Sequence, residues 1–165
     1  MITVLQPGAL STVQDEGRVD YMAFGLPRAG VMDRVAANLA NLLCGNPLGA
    51  AVLEMTLMGG SFRFEKNCRI AFCGADMSPR LNGAAMEPWA AHDVVTGDIL
   101  ETGYANRGCR AYLAVGGGID VAPVMGSRST YTRANLGGHE GRALRAGDCL
   151  PVGEASPFPA APGRL

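Results

Sequence analysis

Residues 61–73 read SFRFEKNCRIAFC, and the pattern of this stretch decides the fold class. Phe62 and Phe64 alternate with polar residues, so both fall on one face of a strand. Lys66 and Asn67 can turn the chain into the apolar run that begins at Cys68. Similar short segments recur at 2–5, 12–14, 52–57, 94–95, 99–100 and 110–115. Short strands at this spacing predict a mainly β protein, a barrel or a sandwich.

One segment has helical periodicity instead. Asp33 is suited to cap the N-terminus of a helix over residues 34–44, and Gly45 fits the position just after its end. The apolar residues of this segment fall on one helical stripe: Val35, Leu39, Leu42 and Leu43. Among the predicted strands, we interpret residues 12–14 as a strand that returns antiparallel along the first strand, 2–5.

Composition bounds both the organisation and the function. With 165 residues the chain predicts one domain over 1–150, and the prolines at 151, 157, 159 and 162 indicate a linker or tail over 151–165. The 23 Gly and 10 Pro favour a turn-rich fold. A net charge of −1 and 6% aromatic residues argue against a nucleic-acid partner. No apolar run is long enough to cross a membrane.

Other function classes are disfavoured by missing residue types. Lys66 is the only lysine, and it sits neither in a Walker loop nor in a biotin-carrying turn. His92 and His139 lack ligand-spaced partners, so we expect no metal site. The five cysteines include no Cys-x-x-Cys pair and are interpreted as reduced, which suits a cytoplasmic protein.

Two polar segments are candidates for a functional site. In the first, residues 14–33, Asp15 or Asp33 could act as a base and Arg18 or Arg28 could hold an anion. The alternative is a plain loop capped into the helix by Asp33. In the second, residues 116–142, glycines allow backbone N–H groups to approach a ligand, beside hydroxyl and arginine side chains. Here the alternative is a solvated basic face, because residues 106–145 hold six arginines, including Arg107 and Arg110. We favour a site.

Eight blocks of the sequence, in order, resemble the biotin-dependent carboxyltransferase family. They are TVQDxGR at 12–18, GxMD at 30–33, ANLANLLxGNP at 37–47, AxLE at 51–54, GAD at 74–76, RAYLAVxGGID at 110–120, GSRSTY at 126–131 and GGxxGRxL at 137–144. The family includes the C subunit of 5-oxoprolinase, allophanate hydrolase subunit 2, the KipI antagonist KipA and the carboxyltransferase domain of urea amidolyase. The resemblance implies a cyclophilin-like antiparallel β-barrel. It covers only the N-terminal half of the family's unit, whose second half is a further β domain that helps to form the cleft.

The resemblance also implies a function: a subunit of a bacterial ATP-dependent 5-oxoprolinase, which opens 5-oxo-L-proline to L-glutamate. The implied partners are a KipI-like B subunit, a LamB/YcsF-like A subunit, and the second half of the unit. ATP would be bound by the complex, since this chain has no Walker loop. As catalytic bases we predict Asp15, Asp33 and Glu54. As substrate-binding residues we predict Gly117, Gly118, Ser127, Arg128, Thr130, Tyr131 and Arg133.

Two alternative functions remain open at this point. One is a carboxyltransferase that moves CO2 from carboxybiotin, held on a separate carrier, to urea or a similar amide nitrogen. The other is a non-enzymatic regulator that binds a KipI-like kinase inhibitor.

Overall fold

A computed structural model of the chain describes residues 1–155, which form eleven β-strands, one α-helix and two 3-10 turns. The 3-10 turns are Met22–Phe24 and Thr132–Ala134, and the helix α1 is Arg34–Cys44. The strands are β1 Ile2–Gln6, β2 Ser11–Gln14, β3 Val52–Thr56, β4 Ser61–Phe64, β5 Cys68–Asp76, β6 Arg80–Leu81, β7 Ala84–Ala85, β8 Ala91–Val94, β9 Ile99–Glu101, β10 Arg107–Val115 and β11 Cys149–Leu150.

The strands pair antiparallel in two sheets that share one apolar core. One sheet has the order β11-β1-β4-β9-β6-β7 and the other β2-β3-β10-β5-β8. Phe62 and Phe64 of the first sheet, and Leu53 and Ile70 of the second, belong to the same buried cluster. The predicted mainly β, antiparallel fold with one helix is confirmed. Within residues 1–155 the strand pairing forms these two sheets and not one closed ring.

The prediction that β2 returns along β1 is wrong, because the two strands lie in different sheets. β2 pairs with β3, with Ser11 opposite Met55 and Gln14 opposite Val52. Between β1 and β2, Gly8 has a φ of +73° and packs against the backbone carbonyls of Met58 and Gly59. A side chain at Gly8 would overlap those carbonyls, so glycine lets the chain cross here from one sheet to the other.

The helix begins and ends as predicted, but its buried face differs from the predicted stripe. The Asp33 side chain accepts a hydrogen bond from the Ala36 N–H at 3.0 Å, and Gly45 is left-handed with a φ of +75°. The face that packs on β5 and β10 consists of small and apolar residues: Ala36, Ala37, Ala40, Leu43 and Cys44. Val35 and Leu42 are instead 69% and 42% exposed. Small side chains allow the helix to lie close to the sheet. The alanine-rich face is therefore buried, and Val35 and Leu42 of the predicted stripe are left exposed.

After β11 of the first sheet, the chain passes beside a glycine turn. Val152 pairs with Ile119, and the Gly153 N–H donates to the Gly118 carbonyl at 3.1 Å. The prolines at 157, 159 and 162 lie outside the described residues, so the division into a 1–150 domain and a 151–165 tail stays a prediction. In the described part of the chain, no helix combines the length and apolar character needed to span a bilayer.

Candidate functional site

A slip in the register between β5 and β10, two inner strands of the second sheet, lies beside a groove. From Val115↔Ile70 to Ala111↔Gly74 the two strands pair without interruption, but the next partners are Arg107 and Asp76. Residues 108–110 of β10 therefore oppose the single residue 75 of β5. Gly74 has a φ of +99°, and a Cβ there would lie 2.5 Å from the Arg110 carbonyl oxygen. Only glycine tolerates both conditions, and bulges of this kind commonly redirect side chains.

The groove has a volume of about 570 Å³, a size typical of small-molecule sites. Nine residues line it: Asp33, Gly74, Ala75, Asp76, Trp89, Arg107, Gly108, Cys109 and Arg110. Trp89 has a φ of +59°, which is unfavourable for a bulky aromatic residue. Strain of this kind persists only where the surrounding structure imposes it, and it is concentrated at functional sites.

A partly buried hydrogen-bond network beside the groove joins the start of α1 to β3 and β10. Glu54 Oε2 accepts hydrogen bonds from the Met32 N–H at 2.8 Å and from the Tyr112 hydroxyl at 2.9 Å. The same hydroxyl accepts the Asp33 N–H at 2.7 Å. Glu54 Oε1 lies 3.6 Å from Arg110 Nε. Burial raises the pKa of Tyr112 well above its ordinary value, so the phenol stays protonated and can donate. The network therefore positions the start of α1 against the bulge of β10.

The groove also holds groups that remain available to a ligand. Asp33 Oδ1 caps the helix by accepting from Ala36, whereas no hydrogen bond from the described residues reaches its Oδ2. Within residues 1–155, no side-chain hydrogen bond or ion pair engages the guanidinium of Arg107. An available carboxylate oxygen can accept a proton, and a free guanidinium can bind an anionic group. Asp33 and Arg107 therefore give the groove both chemical capacities.

The predicted glycine turn lies in a second hollow of about 400 Å³, together with Arg128. Its N–H groups are already engaged: Gly117 donates to Asn46 Oδ1 at 2.8 Å and Gly118 to the Val115 carbonyl at 2.7 Å. The guanidinium of Arg128 is also partly used, because Nη2 lies 2.9 Å from Asp120 Oδ1. The structure brings Arg128 and the glycines together. Their contact with a ligand stays a prediction, and it requires the glycine N–H groups to exchange these bonds.

Asp15 holds the serine-rich loop in place. It accepts hydrogen bonds from the Ser127 and Ser129 hydroxyls, both at 2.6 Å, and from the Gly17 and Arg128 N–H groups. Burial raises the pKa of the Asp15 carboxyl, but these four donors outweigh it and lower the pKa overall. Asp15 is thus an ionised carboxylate whose acceptor positions are largely filled. Its predicted action as a base stays untested, as does ligand binding by Ser127.

The other predicted substrate-binding residues lie apart from Arg128. Thr130 is buried, and its hydroxyl donates to the Val13 carbonyl at 2.9 Å, which joins this loop to β2. Tyr131 and Arg133 line a third hollow of about 470 Å³, together with Met22 and residues 25–27. The structure therefore distributes the predicted residues over separate hollows. Of the three predicted bases, Asp33 lines the bulge groove and Glu54 supports it, whereas Asp15 does neither.

The sequence did not single out several residues of the bulge groove. Arg107 was counted only as part of a basic segment, Trp89 next to Pro88 was interpreted as a packing residue, and no role at a site was predicted for Asp76. Family blocks could have pointed to Asp76, since four blocks supply Asp33, Glu54, Asp76 and Tyr112, but no block contains Arg107 or Trp89. Their convergence depends on the register slip between strands more than 30 residues apart, which periodicity does not reveal.

Comparison with known proteins identifies the family to which this sequence is similar. Residues 24–163 match the family described as carboxyltransferase domain, subdomain A and B. The C subunit of Escherichia coli 5-oxoprolinase is 40% identical over 94% of this chain and 50% of its own length. Urea amidolyase of Lachancea kluyveri is 44% identical over 89% of this chain and 8% of its own length. The crystal structure of Kluyveromyces lactis urea amidolyase superposes with a TM-score of 0.91 at 40% identity, covering 99% of this chain and 10% of that one.

The share of each relative that is covered differs widely. The chain spans about half the length of the E. coli 5-oxoprolinase protein and less than a tenth of urea amidolyase. This partial coverage fits the N-terminal half of the carboxyltransferase unit.

Proposed function

The chain belongs to the family described as carboxyltransferase domain, subdomain A and B, and on this basis we propose that it is a subunit of an ATP-dependent 5-oxoprolinase. This enzyme opens the lactam of 5-oxo-L-proline to L-glutamate. The observation that carries the proposal is the bulge groove, where the carboxylate of Asp33 and the guanidinium of Arg107, which no side chain of residues 1–155 engages, line one cavity. The 40% identity to the C subunit of E. coli 5-oxoprolinase supports the same assignment.

The chemistry of the substrate fits these groups. 5-Oxo-L-proline carries a carboxylate, which a free guanidinium binds through charge-assisted hydrogen bonds, and we assign that contact to Arg107. In the overall reaction the oxygen of one water bonds to the lactam carbonyl carbon, the C–N bond breaks and the nitrogen takes up a proton, while a second water is consumed as the ATP bound by the complex is hydrolysed to ADP and phosphate. Asp33 would accept the proton that water loses, because its Oδ2 is free of hydrogen bonds from the described residues. Glu54 and Tyr112 act as positioning residues, since they hold Asp33 through its backbone.

The proposal includes partners, because this chain corresponds to about half of the E. coli protein. They are a KipI-like B subunit, a LamB/YcsF-like A subunit, and the second half of the carboxyltransferase unit. We assign ATP binding to this cytoplasmic complex and not to the chain alone.

A chimera tests the proposal directly. This chain replaces the matching half of the C subunit of E. coli 5-oxoprolinase, and ATP-dependent glutamate release from 5-oxo-L-proline is measured in the reconstituted E. coli enzyme. We expect activity, and we expect Arg107→Ala to raise KM at least about tenfold, the usual effect of losing a charged substrate contact. Arg145→Ala is the matched control, because Arg145 is also exposed and lies outside the groove. An inactive chimera, or equal KM values for the two variants, would contradict the proposal.

A second function, carboxyl transfer, is favoured by a separate observation. The identity to L. kluyveri urea amidolyase is 44%, above the 40% identity to the E. coli 5-oxoprolinase protein. In this case the groove would receive carboxybiotin from a separate carrier, and Arg107 would bind the carboxylate that is transferred. Replacing the matching segment of L. kluyveri urea amidolyase with this chain tests the alternative. Biotin-dependent carboxylation of urea by that chimera, together with failure of the 5-oxoprolinase chimera, would establish carboxyl transfer instead.

A further inference from the structure

Arg18 carries a buried positive charge that lacks an ion-pair partner within residues 1–155. The residue is only 2% exposed. Its Nη2 donates to the Ser129 carbonyl at 2.6 Å, whereas Nε and Nη1 have no hydrogen-bond partner in this part of the chain. No carboxylate oxygen of these residues lies within 4.0 Å of the guanidinium. Buried charges in proteins are normally paired, because an unpaired one is costly to remove from water.

Asp15 does not supply the missing partner. Its charge raises the pKa of Arg18, but burial has the larger effect and lowers that pKa overall. The Asp15 oxygens accept from other donors, among them the Ser127 hydroxyl and the Arg128 N–H. A guanidinium nevertheless stays protonated in proteins. Arg18 therefore keeps its charge, and the N–H groups of Nε and Nη1 remain without an acceptor.

The same side chain lines a hollow of about 460 Å³, which we call the Arg18 hollow. Its volume is typical of small-molecule sites. The other lining residues are Val19, Asp20, Met22, Ala23 and Arg28. None of them lines the bulge groove, so the two sites are separate.

The charges around the Arg18 hollow favour a singly charged anion. Arg28 is already engaged, because its Nε donates to the Glu16 carbonyl at 2.9 Å and its Nη2 lies 3.8 Å from Glu16 Oε2. Of the two arginines that the sequence offered as anion contacts in this segment, Arg18 is therefore the one whose charge is available. Asp20 lines the hollow as well, and its carboxylate would repel a doubly charged anion more strongly than a singly charged one. The remaining lining residues are apolar.

The segment over residues 19–27 controls access to the guanidinium. Nε and Nη1 of Arg18 are shielded from solvent, so a ligand reaches them only when a neighbouring segment moves. None of residues 19–27 is buried, and their hydrogen bonds within the described chain are all internal to the segment. The Arg18 N–H closes the base of this loop by donating to the Arg28 carbonyl at 2.7 Å. The loop can therefore be displaced without breaking a hydrogen bond to the rest of residues 1–155.

We propose that the Arg18 hollow binds a small monocarboxylate with a short aliphatic body, and that the carboxylate accepts hydrogen bonds from the Arg18 guanidinium. The ligand would supply the partner that this buried charge lacks, and charge-assisted hydrogen bonds of this kind are strong. Its aliphatic body would contact Val19, Met22 and Ala23. The proposal goes beyond the proposed function and does not depend on it, because the bulge groove shares no lining residue with this hollow.

NMR spectra of the arginine Nε–H groups test the proposal at the atom concerned. The isotope-labelled chain is titrated with sodium butyrate and, for comparison, with butyramide, sodium chloride and sodium phosphate. Arg18→Gln identifies the Arg18 signal by its disappearance. This variant should fold, because glutamine retains an NH2 donor for the Ser129 carbonyl and removes an unpaired buried charge. Arg28→Gln is the matched control, since it makes the same change at the other arginine of the hollow.

We expect butyrate to shift the Arg18 Nε–H signal in a saturable way, and butyramide and chloride to leave it unchanged. Followed by the Ala23 amide signal, butyrate should bind to Arg18→Gln at least about tenfold more weakly than to Arg28→Gln, the usual effect of losing a charged hydrogen bond. Thermal unfolding verifies the fold of both variants. If Arg18→Gln does not fold, Arg18→Lys takes its place, because lysine keeps the charge and lacks the Nε–H group of arginine.

The proposal is overturned if butyrate gives no saturable shift, or if the two folded variants bind it equally. Equal shifts of all arginine signals would indicate ionic screening only and would also overturn it. Tighter binding of phosphate than of butyrate would assign the hollow to a doubly charged anion instead. None of these results bears on glutamate release by the chimera, which tests the bulge groove.

Discussion

Tyr112 and Glu54 lie directly opposite each other on β10 and β3, and their side chains are joined by a 2.9 Å hydrogen bond. Tyr112 is wholly buried and Glu54 is 8% exposed. The bond links the sheet to the start of α1, because the same hydroxyl accepts the Asp33 N–H. The position of the Asp33 carboxylate in the groove therefore depends on a side chain that does not line the groove.

Removing this hydroxyl should weaken both the fold and the site. In Tyr112→Phe, Glu54 loses a donor and the Asp33 N–H loses its acceptor, so we expect a loss of about 1–3 kcal/mol in the free energy of unfolding. Urea denaturation measures it, and kcat of the 5-oxoprolinase chimera should fall as Asp33 loses its support. Tyr104→Phe, at a side chain that is 75% exposed, is the control. Equal stability of the two variants would mean that the network does not position Asp33.

The bulge should require glycine at position 74 because a Cβ there would overlap the neighbouring strand. A substitution at Gly83 separates this overlap from the strain of the left-handed backbone. Gly74→Ala forces a left-handed alanine and also places a Cβ 2.5 Å from the Arg110 carbonyl. Gly83→Ala has the same conformational strain at a φ of +78°, but no atom lies within 4 Å of its Cβ. We expect about 1 kcal/mol of destabilisation for Gly83→Ala and roughly 2 kcal/mol more for Gly74→Ala, by analogy with overpacking. Urea denaturation compares them, and a difference near zero would show that the bulge tolerates a side chain.

Asp15 should keep the 126–131 loop in place against β2. In Asp15→Asn the side-chain NH2 has to face donors that the carboxylate oxygens accept, among them the Ser127 hydroxyl and the Arg128 N–H. We expect a loss of about 2–4 kcal/mol in the free energy of unfolding, because a buried charged acceptor is removed. The sharper readout is amide exchange at Arg128, which should accelerate. Asp20→Asn is the control, since Asp20 is exposed and asparagine tolerates its φ of 70°. Unchanged exchange would contradict the assigned role.

Acid should destabilise the fold through Asp148. The Arg142 guanidinium donates to both of its oxygens, at 2.7 and 2.9 Å, and lowers the pKa of Asp148 to about 2, with further help from the Arg145 N–H and His139. Because the folded pKa lies below the unfolded value of about 3.9, the stabilisation is complete well above pH ~4 and is lost as the pH falls towards about 2. Unfolding free energies at pH ~7, ~4 and ~3 should fall for the unsubstituted chain. They should fall less steeply for Asp148→Asn. Parallel curves would contradict the assignment.

Local elements were predicted well because their causes lie within a few residues. Asp33 and Gly45 set the ends of α1, as the cap hydrogen bond and the left-handed glycine confirm. The alternation of Phe62 and Phe64 placed both side chains in the core. The wrong predictions concern which strands pair with each other and which helix face packs on the sheet. The pairing of β2 with β3, and the burial of the alanine face of α1, depend on surfaces contributed by distant segments.

The candidate site shows the same division. The residues Asp33 and Glu54 were predicted, and their types alone suggested acid–base chemistry. Their connection with each other, and with Arg107, was not predictable, because it depends on how β10 is aligned with β3 and β5.

By itself, the sequence determined that the chain is mainly β, where its helix begins and ends, and which family blocks it carries. Only the tertiary structure decided that the family blocks converge on a groove at the β5/β10 bulge, that Arg128 and Arg133 line different hollows, and that one apolar face of α1 is left exposed. The physical reason is the distance along the chain between the residues that interact. Alternation and capping act between neighbours along the chain, whereas strand register and packing are set by long-range contacts that no local pattern records.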